Sequence, residues 1–298
     1  MEGARADDAG TEKASLELRP ILDADAETVA AFLHKHLNTR VPHAAWRALL
    51  SPPWRAAAPN SGFQLRAGEQ IVGVYAAVYS ERDIDRATVR FCNLAAFCVR
   101  DEYRAHSLRL LRALLAQKDD VFTDFSPSGN VVALNERLGF VRLDTSTRLS
   151  VNLPAMPGRG IRVSGDPAVL EATLAGVDAV AYRDHRNAAA ARHLVVSAPG
   201  GYAYLVFRRD RRKRLPLFAT PLYVGGSRAL LRAAWPRVAS HLLLRHGLAV
   251  TLAEPRILGF APRLGTALAA PRAKMFRGRT IPPERIDYLY SELTLLEW

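Results

Sequence analysis

The alternation of apolar and polar positions divides the chain into strand-like and helix-like stretches. Leu16–Ile21 reads as a short strand. Behind Asp23 and Asp25, either of which can cap a helix, Val29, Phe32 and Leu33 fall on one buried side. Trp46, Leu49 and Leu50 mark a second helical piece that stops at Pro52-Pro53. Phe63–Arg66 and Gln70–Tyr79 flank Ala67-Gly68-Glu69 and predict a hairpin. Val89–Val99 is too continuously apolar for a half-exposed strand and is expected in the middle of a sheet, buried on both faces. In Ser107–Gln117, Leu108, Leu111, Leu114 and Leu115 recur at helical spacing, with Leu110 widening the face. Val121–Phe125 is a short strand. Ser126-Pro127-Ser128-Gly129 then turns into a helix that runs to about Leu138 and ends at Gly139. Strands at Phe140–Leu143 and Arg148–Leu153 close the unit, a mixed α/β sheet with helices on both faces.

After Pro154–Gly160, which has the composition of a linker, the order recurs loosely. A helical stretch covers Pro167–Ala179. Strands follow at Tyr202–Phe207 and Leu215–Val224, then a helix over about Arg228–His246 and a strand at Leu248–Leu252. Ile286–Leu296 reads as a final strand, with Tyr288 and Tyr290 as packing residues. Two domains suit a chain of 298 residues, since domains hold ~100–200 each. The expected division is a disordered tail at 1–14, a first domain at 15–153, a linker at 154–160 and a second domain at 161–298. That second domain is read as a degenerate copy of the first or as a different domain.

Composition narrows the partners. Hydrophobic residues make up 49% and charged residues 23%, a balance that supports two cores. No apolar run approaches a membrane span, and the polar N-terminus lacks a secretion signal, so a cytoplasmic location is expected. Cys92 and Cys98 are too few for a disulfide framework and lack the companions of a zinc site; no metal is expected. The net charge of +12 invites a nucleic-acid reading, but the arginines are spread along the chain. The one dense run, Arg208–Arg214, lies between two strand-like segments and suits a hairpin turn, either solvated or touching an anionic partner.

Two motifs carry more. Leu94–Arg109 is an apolar strand ending at Val99, a polar turn, and Arg104-Ala105-His106-Ser107-Leu108-Arg109 opening a helix. Asn130-Val-Val-Ala133-Leu-Asn135-Glu136-Arg137-Leu138-Gly139-Phe140 follows one short strand later. Together they resemble the GNAT family of acyl-CoA-dependent N-acyltransferases, over about Leu16–Leu153. The resemblance implies a GNAT-like fold, with two tandem copies if the second half is related. It also implies acetyl-CoA or another acyl-CoA as co-substrate and transfer of an acyl group, acetyl by expectation, to an amine. The cofactor would lie against Phe97, Cys98, Val99, Arg104, Ala105, His106, Ser107, Leu108, Arg109 and Asn130. A backbone N–H near Ala95–Phe97 would polarise the thioester carbonyl.

The sequence departs from the family pattern at both motifs. The phosphate-loop glycines are replaced by Ala105, Ser107 and Arg109; Ser107 can donate to an anion, and Arg109 can either pair with a phosphate or fill its place. Arg104, Arg109 and Arg112 also read as the solvated side of an amphipathic helix. Asn135 stands about where family enzymes place a tyrosine acid, and an amide cannot supply that proton. Water, Ser126, Ser128 or a residue of the second half would serve instead. Among the carboxylates, Glu81, Asp83, Asp85 and Glu102 read as surface groups. Asp124, closing a strand beside the cofactor groove, is the candidate base. The catalytic candidates are therefore Asp124 and Asn135. The alternative is a GNAT-like protein that binds acyl-CoA or a partner without turnover. The ending Asp287-Tyr-Leu-Tyr-Ser-Glu-Leu resembles bacterial proteins associated with surface polysaccharide synthesis, which makes an amino sugar one expected acceptor.

Overall fold

The computed structural model describes residues 15–297 apart from Arg55, Asp85, 118–119, 157–159, 213–214 and 279–280. The expected tail at 1–14 and the middle of the expected linker thus lie outside the described residues.

Continuous apolar runs make the centre of each sheet, and amphipathic helices cover the faces. The first half supplies β1 (Leu16–Pro20), β2 (Gly62–Ala67), β3 (Gln70–Ile84), β4 (Ala87–Val99), β5 (Asp120–Asp124), β6 (Val141–Arg142) and β7 (Arg148–Val151). The second half supplies β8 (Arg162–Ser164), β9 (Arg192–Ala198), β10 (Gly201–Arg212), β11 (Leu215–Gly226), β12 (Val250–Ala253), β13 (Thr266–Ala267) and β14 (Met275–Arg277). The helices are α1 (Ala26–His36), α2 (His43–Leu50), α3 (Ser107–Leu115), α4 (Gly129–Arg137), α5 (Pro167–Thr173), α6 (Gly176–His185), α7 (Arg228–His246), α8 (Pro255–Leu258) and α9 (Glu292–Leu295). Local chemistry explains their limits. Ser227 caps α7 through its side chain, and Gly247, at φ 68°, ends it in the left-handed conformation that glycine adopts without penalty. In α3, Leu110, Leu111 and Leu114 are buried, each worth roughly 1.5–3 kcal/mol of apolar transfer.

Two seven-stranded sheets result, in the orders β1-β2-β3-β4-β5-β14-β6 and β13-β7-β12-β11-β10-β9-β8. The tandem reading holds: the same strand order is built twice. One feature corrects the expected boundary. The strand expected to close the first unit, β7, pairs instead with β12 of the second sheet. In return β14 pairs with β5 and β6 of the first sheet. The two halves have exchanged their last strands. The expected final strand at Ile286–Leu296 is also corrected. It holds a short helix, α9, and an irregular segment threaded between the sheets, with Ile286, Tyr288, Ser291, Glu292, Thr294 and Leu296 at most 1% exposed. Its apolar character comes from this packing, not from strand pairing. One hydrophobic core joins Trp46 and Phe125 of the first half with Tyr204, Leu231 and Tyr288 of the second. The basic run forms the expected hairpin, with Arg212 paired across to Leu215, but Arg208 is buried. Among the described residues, no helix is long and apolar enough to cross a membrane.

Candidate active site

Within the first sheet β4 and β5 run parallel from Arg90–Asp120 to Asn93–Thr123, and the pairing stops there. On the other side β4 stays paired with β3 as far as Val99, with an extra residue, Ala95, bulged between Leu94 and Ala96. A bulge bends and twists its strand, so the two central strands diverge from this point. The second sheet repeats the device. Parallel pairing of β11 and β12 stops at Ala219–Thr251, and Leu222 is the extra residue.

Buried polar groups gather at the first opening. Asp124 ends β5, and its carboxylate accepts from the Asn135 side-chain amide at 2.9 Å and from the Ser126 backbone N–H at 3.3 Å. The Ser126 hydroxyl donates to Glu292 at 2.7 Å, and the Glu292 N–H donates to the Asn93 side chain at 3.2 Å. Asn93 in turn donates to the Thr123 hydroxyl at 3.2 Å and so ties β4 to β5 at their last pair. All these residues except Ser126 are buried. Glu292 Oε2 and Asn135 Oδ1 have no hydrogen-bond partner among the described residues. Burial pushes the Asp124 carboxyl up to about 6, against the opposing hydrogen bonds of Asn135 and Ser126. Burial pushes Glu292 up to about 7; the hydrogen bond from Ser126 opposes the rise and the nearby Asp124 adds to it. Two carboxyls that exchange protons close to neutrality can serve as acid or base.

At the second opening the carboxylate one residue past the end of β12, Glu254, is bonded by Lys274 and by the Tyr288 hydroxyl. The Tyr288 N–H donates to the carbonyl of the bulged Leu222 at 3.1 Å. That opening is filled by the chain itself, and Ala253 stands at the register position that Asp124 holds in the first sheet.

The fold places the remaining candidates as follows. Phe97, Cys98 and Val99 lie on β4 beyond the last pair with β5 and are partly exposed. Neither cysteine is in a disulfide among the described residues, and burial pushes the Cys98 thiol up to about 11. Asp101–His106 forms a 3-10 helix that runs directly into α3. Its bonds, from the Tyr103 N–H to the Arg100 carbonyl through to the Ser107 N–H to the Arg104 carbonyl, occupy the backbone donors expected to hold a phosphate. Side chains remain available. Arg104, His106, Leu108 and Arg109 are exposed, although Arg104 pairs with Asp101 at 2.8 Å and Arg109 reaches the Leu16 carbonyl at 3.4 Å. Ala105 is exposed and Ser107 half-buried. Asn130 lies in the first turn of α4, with its side chain outside the described residues. Asp124 and Asn135 thus meet in one cluster, some distance in sequence from the arginine-bearing turn. Glu292 was missed by the sequence reading. The available signal was a single acid inside the apolar Ile286–Leu296 stretch.

The fold is matched in solved structures. A GCN5-related N-acetyltransferase from Anabaena variabilis superposes with a TM-score of 0.57 at 10% identity, over 88% of this chain and 72% of that one. The fold is that of the GCN5-related N-acetyltransferases. A fungal GCN5-related glucosamine N-acetyltransferase region gives 0.57 at 14% identity, over 89% of this chain and 38% of the larger multi-domain one. Saccharomyces cerevisiae N-myristoyltransferase with bound myristoyl-CoA gives 0.50 at 12% identity, over 98% and 87%. No family model and no curated protein matches the sequence. The strand order is present twice, and the first sheet carries the Asp124–Glu292 cluster at its opening.

Proposed function

We propose that this chain is an acyl-CoA-dependent N-acyltransferase whose chemistry takes place where β4 and β5 part. The observation that supports this reading is the buried set Asp124, Asn135 and Glu292 at that opening, bridged by Ser126. The edge of β4 at Phe97–Val99, left unpaired by β5, would lie along the acyl-CoA. Ser107, Arg104, Arg109 and Asn130 would take its phosphates through side chains, since the backbone donors of the turn are occupied. A backbone N–H at the Ala95 bulge would polarise the thioester carbonyl. Asp124 and Glu292 would take the proton that the amine loses as it attacks, leaving the thiolate to be protonated by water or Ser126. Acetyl is the acyl group proposed, and an amino sugar the acceptor. The glucosamine-directed activity of the fungal neighbour and the chain's ending support that choice.

Thiol release from acetyl-CoA with an amine panel that includes glucosamine tests the reading. Wild type should release thiol in an amine-dependent way, and Asp124→Asn should slow release at least tenfold with acetyl-CoA affinity unchanged. Amine-independent or absent release would defeat it. The amide of Asn135, where a hydroxyl acid is expected, is the one observation on the side of a second reading, a non-catalytic acyl-CoA-binding protein. Its signature would be calorimetric binding of acetyl-CoA without any thiol release.

A further inference from the structure

A cavity of about 1060 Å³ lies between the two halves, at the upper end of the ~300–1,000 Å³ that small-molecule sites occupy. The β3–β4 hairpin of the first half forms part of its lining. The second half contributes α6, the end of β11, the start of α7, α8 and the segment 284–290. This cavity is separate from the Asp124 cluster.

Both signs of charge line it: Arg228 and Arg256 from α7 and α8 and Arg285 from the segment 284–290, with Glu81 and Asp83 from the hairpin and Glu284 from that same segment. Arg82 and Asp287 also face it, but they bind each other in a two-bonded pair at 2.9 and 2.5 Å and cancel. Arg228 is exposed and has no ion-pair partner among the described residues. It stands at the first position of α7, where the Leu230 N–H is taken by the Ser227 hydroxyl and the Leu231 N–H by the Ser227 carbonyl. The N–H groups of Arg228 and Ala229 remain at the positive end of a 19-residue helix. Arg256 uses one terminal nitrogen on the Pro283 and Ile286 carbonyls, and its Nε and other terminal nitrogen have no partner among the described residues. The Arg256 guanidinium lies over the Tyr288 ring, 5.0 Å from its centroid, and lends the wall positive charge rather than a free donor edge. On the other side, Glu81 is exposed and unpaired among the described residues, and Asp83 accepts only the Thr88 hydroxyl. Val177 and Val180 of α6, 66% and 43% exposed, add an apolar surface. Tyr290 on the wall holds a left-handed backbone at φ 57°, fixed by His185 and Asp184. Such strain in a non-glycine residue is concentrated at ligand sites.

We infer that this cavity binds a small zwitterion: a molecule with an ammonium group for Glu81 and Asp83 and a phosphate or carboxylate for Arg228, Arg256 and the start of α7. A ligand with only one sign of charge would leave the other set facing it unpaired. The site does not depend on the acyl-transfer reading, because binding is measured without acyl-CoA.

Calorimetry on the full chain tests it with four probes. Glucosamine 6-phosphate and muramic acid carry both charges, the first through phosphate and the second through carboxylate. Glucosamine and glucose 6-phosphate carry one charge each. At least one doubly charged probe should bind ten times or more tightly than either single-charge probe, and which of the two binds identifies the anion. Arg228→Glu should weaken that probe at least tenfold. Glu81→Gln should weaken it while leaving glucose 6-phosphate unchanged. Both side chains are exposed, so thermal melts should show both variants folded. Equal binding of glucosamine and its phosphate, unchanged binding in Arg228→Glu, or no binding of any probe at millimolar concentration would overturn the proposal.

Discussion

Asp124 owes its proton affinity to a contest between burial and one amide. The Asn135 side chain donates to it and lowers its proton affinity, while desolvation raises it more strongly. Asn135→Ala removes the donor and leaves a buried carboxylate short of a partner. The expected cost is about 1–3 kcal/mol of stability, read by urea denaturation, together with a further rise in the Asp124 titration midpoint, read by carbon NMR of its carboxyl. A pH dependence follows with a definite sign. Both carboxyls have folded pKa values above their ordinary ones, about 6 for Asp124 and about 7 for Glu292. Their contribution to stability is therefore fully present below pH ~4 and is lost as pH rises through about 6 and 7. Asp124→Asn with Glu292→Gln should remove that loss. Between pH 4 and 8 its melting temperature should fall less than that of wild type. Equal slopes for the two proteins would show that the carboxyls are not so shifted. Asn135 was legible in the sequence because it falls inside a motif, and Asp124 because it closes the short strand between the two motifs. Glu292 was not, because its partner Ser126 is 166 positions away and nothing local distinguishes an acid at a buried site from one on a surface.

At the scale of elements, the central strand β4 and the helices α3, α4 and α7 were legible from apolar run length, leucine spacing and the glycines that end them. β8 and β9 were not marked: β8 has three residues, and in β9 the apolar run is only Leu194–Val196 between polar ends. The segment 286–296 was legible as buried but not as irregular, since packing between two sheets selects the same apolar residues as pairing within one. The turn before α3 tests the cofactor reading. With its backbone donors bonded within the 3-10 helix, phosphate binding on the proposed reading would fall to Ser107, Arg104 and Arg109. Arg109→Glu should weaken coenzyme A at least tenfold by calorimetry, about 1.4 kcal/mol or more. If Arg109 blocks the site instead, Arg109→Gly should strengthen binding. A null result for both variants would move the phosphate site elsewhere.

For the whole molecule, the exchange of β7 and β14 has no signature in local sequence. Each strand has the composition of a sheet edge, and which sheet it joins depends on contacts more than a hundred positions away. The exchange makes the halves interdependent. A fragment of residues 1–153 would lack β14 between β5 and β6 and would leave β7 without β12. It should fail to give a dispersed NMR spectrum as a monomer, and adding the complementary fragment 154–298 should restore one. A well-dispersed spectrum from the first fragment alone would show that the exchange is dispensable.

The same crossing sets a timetable during synthesis. β5 emerges from the ribosome long before β14, its partner at Met275–Arg277. Translation from Asp124 to Arg277 at ~5–20 residues per second leaves that edge uncovered for on the order of ten seconds or more. A nascent chain with an open strand edge is a template for pairing with its neighbours on the same message. Slowed translation of the second half should therefore lower soluble yield more than the same slowing placed in the first half, and chaperones that shield strand edges should recover it.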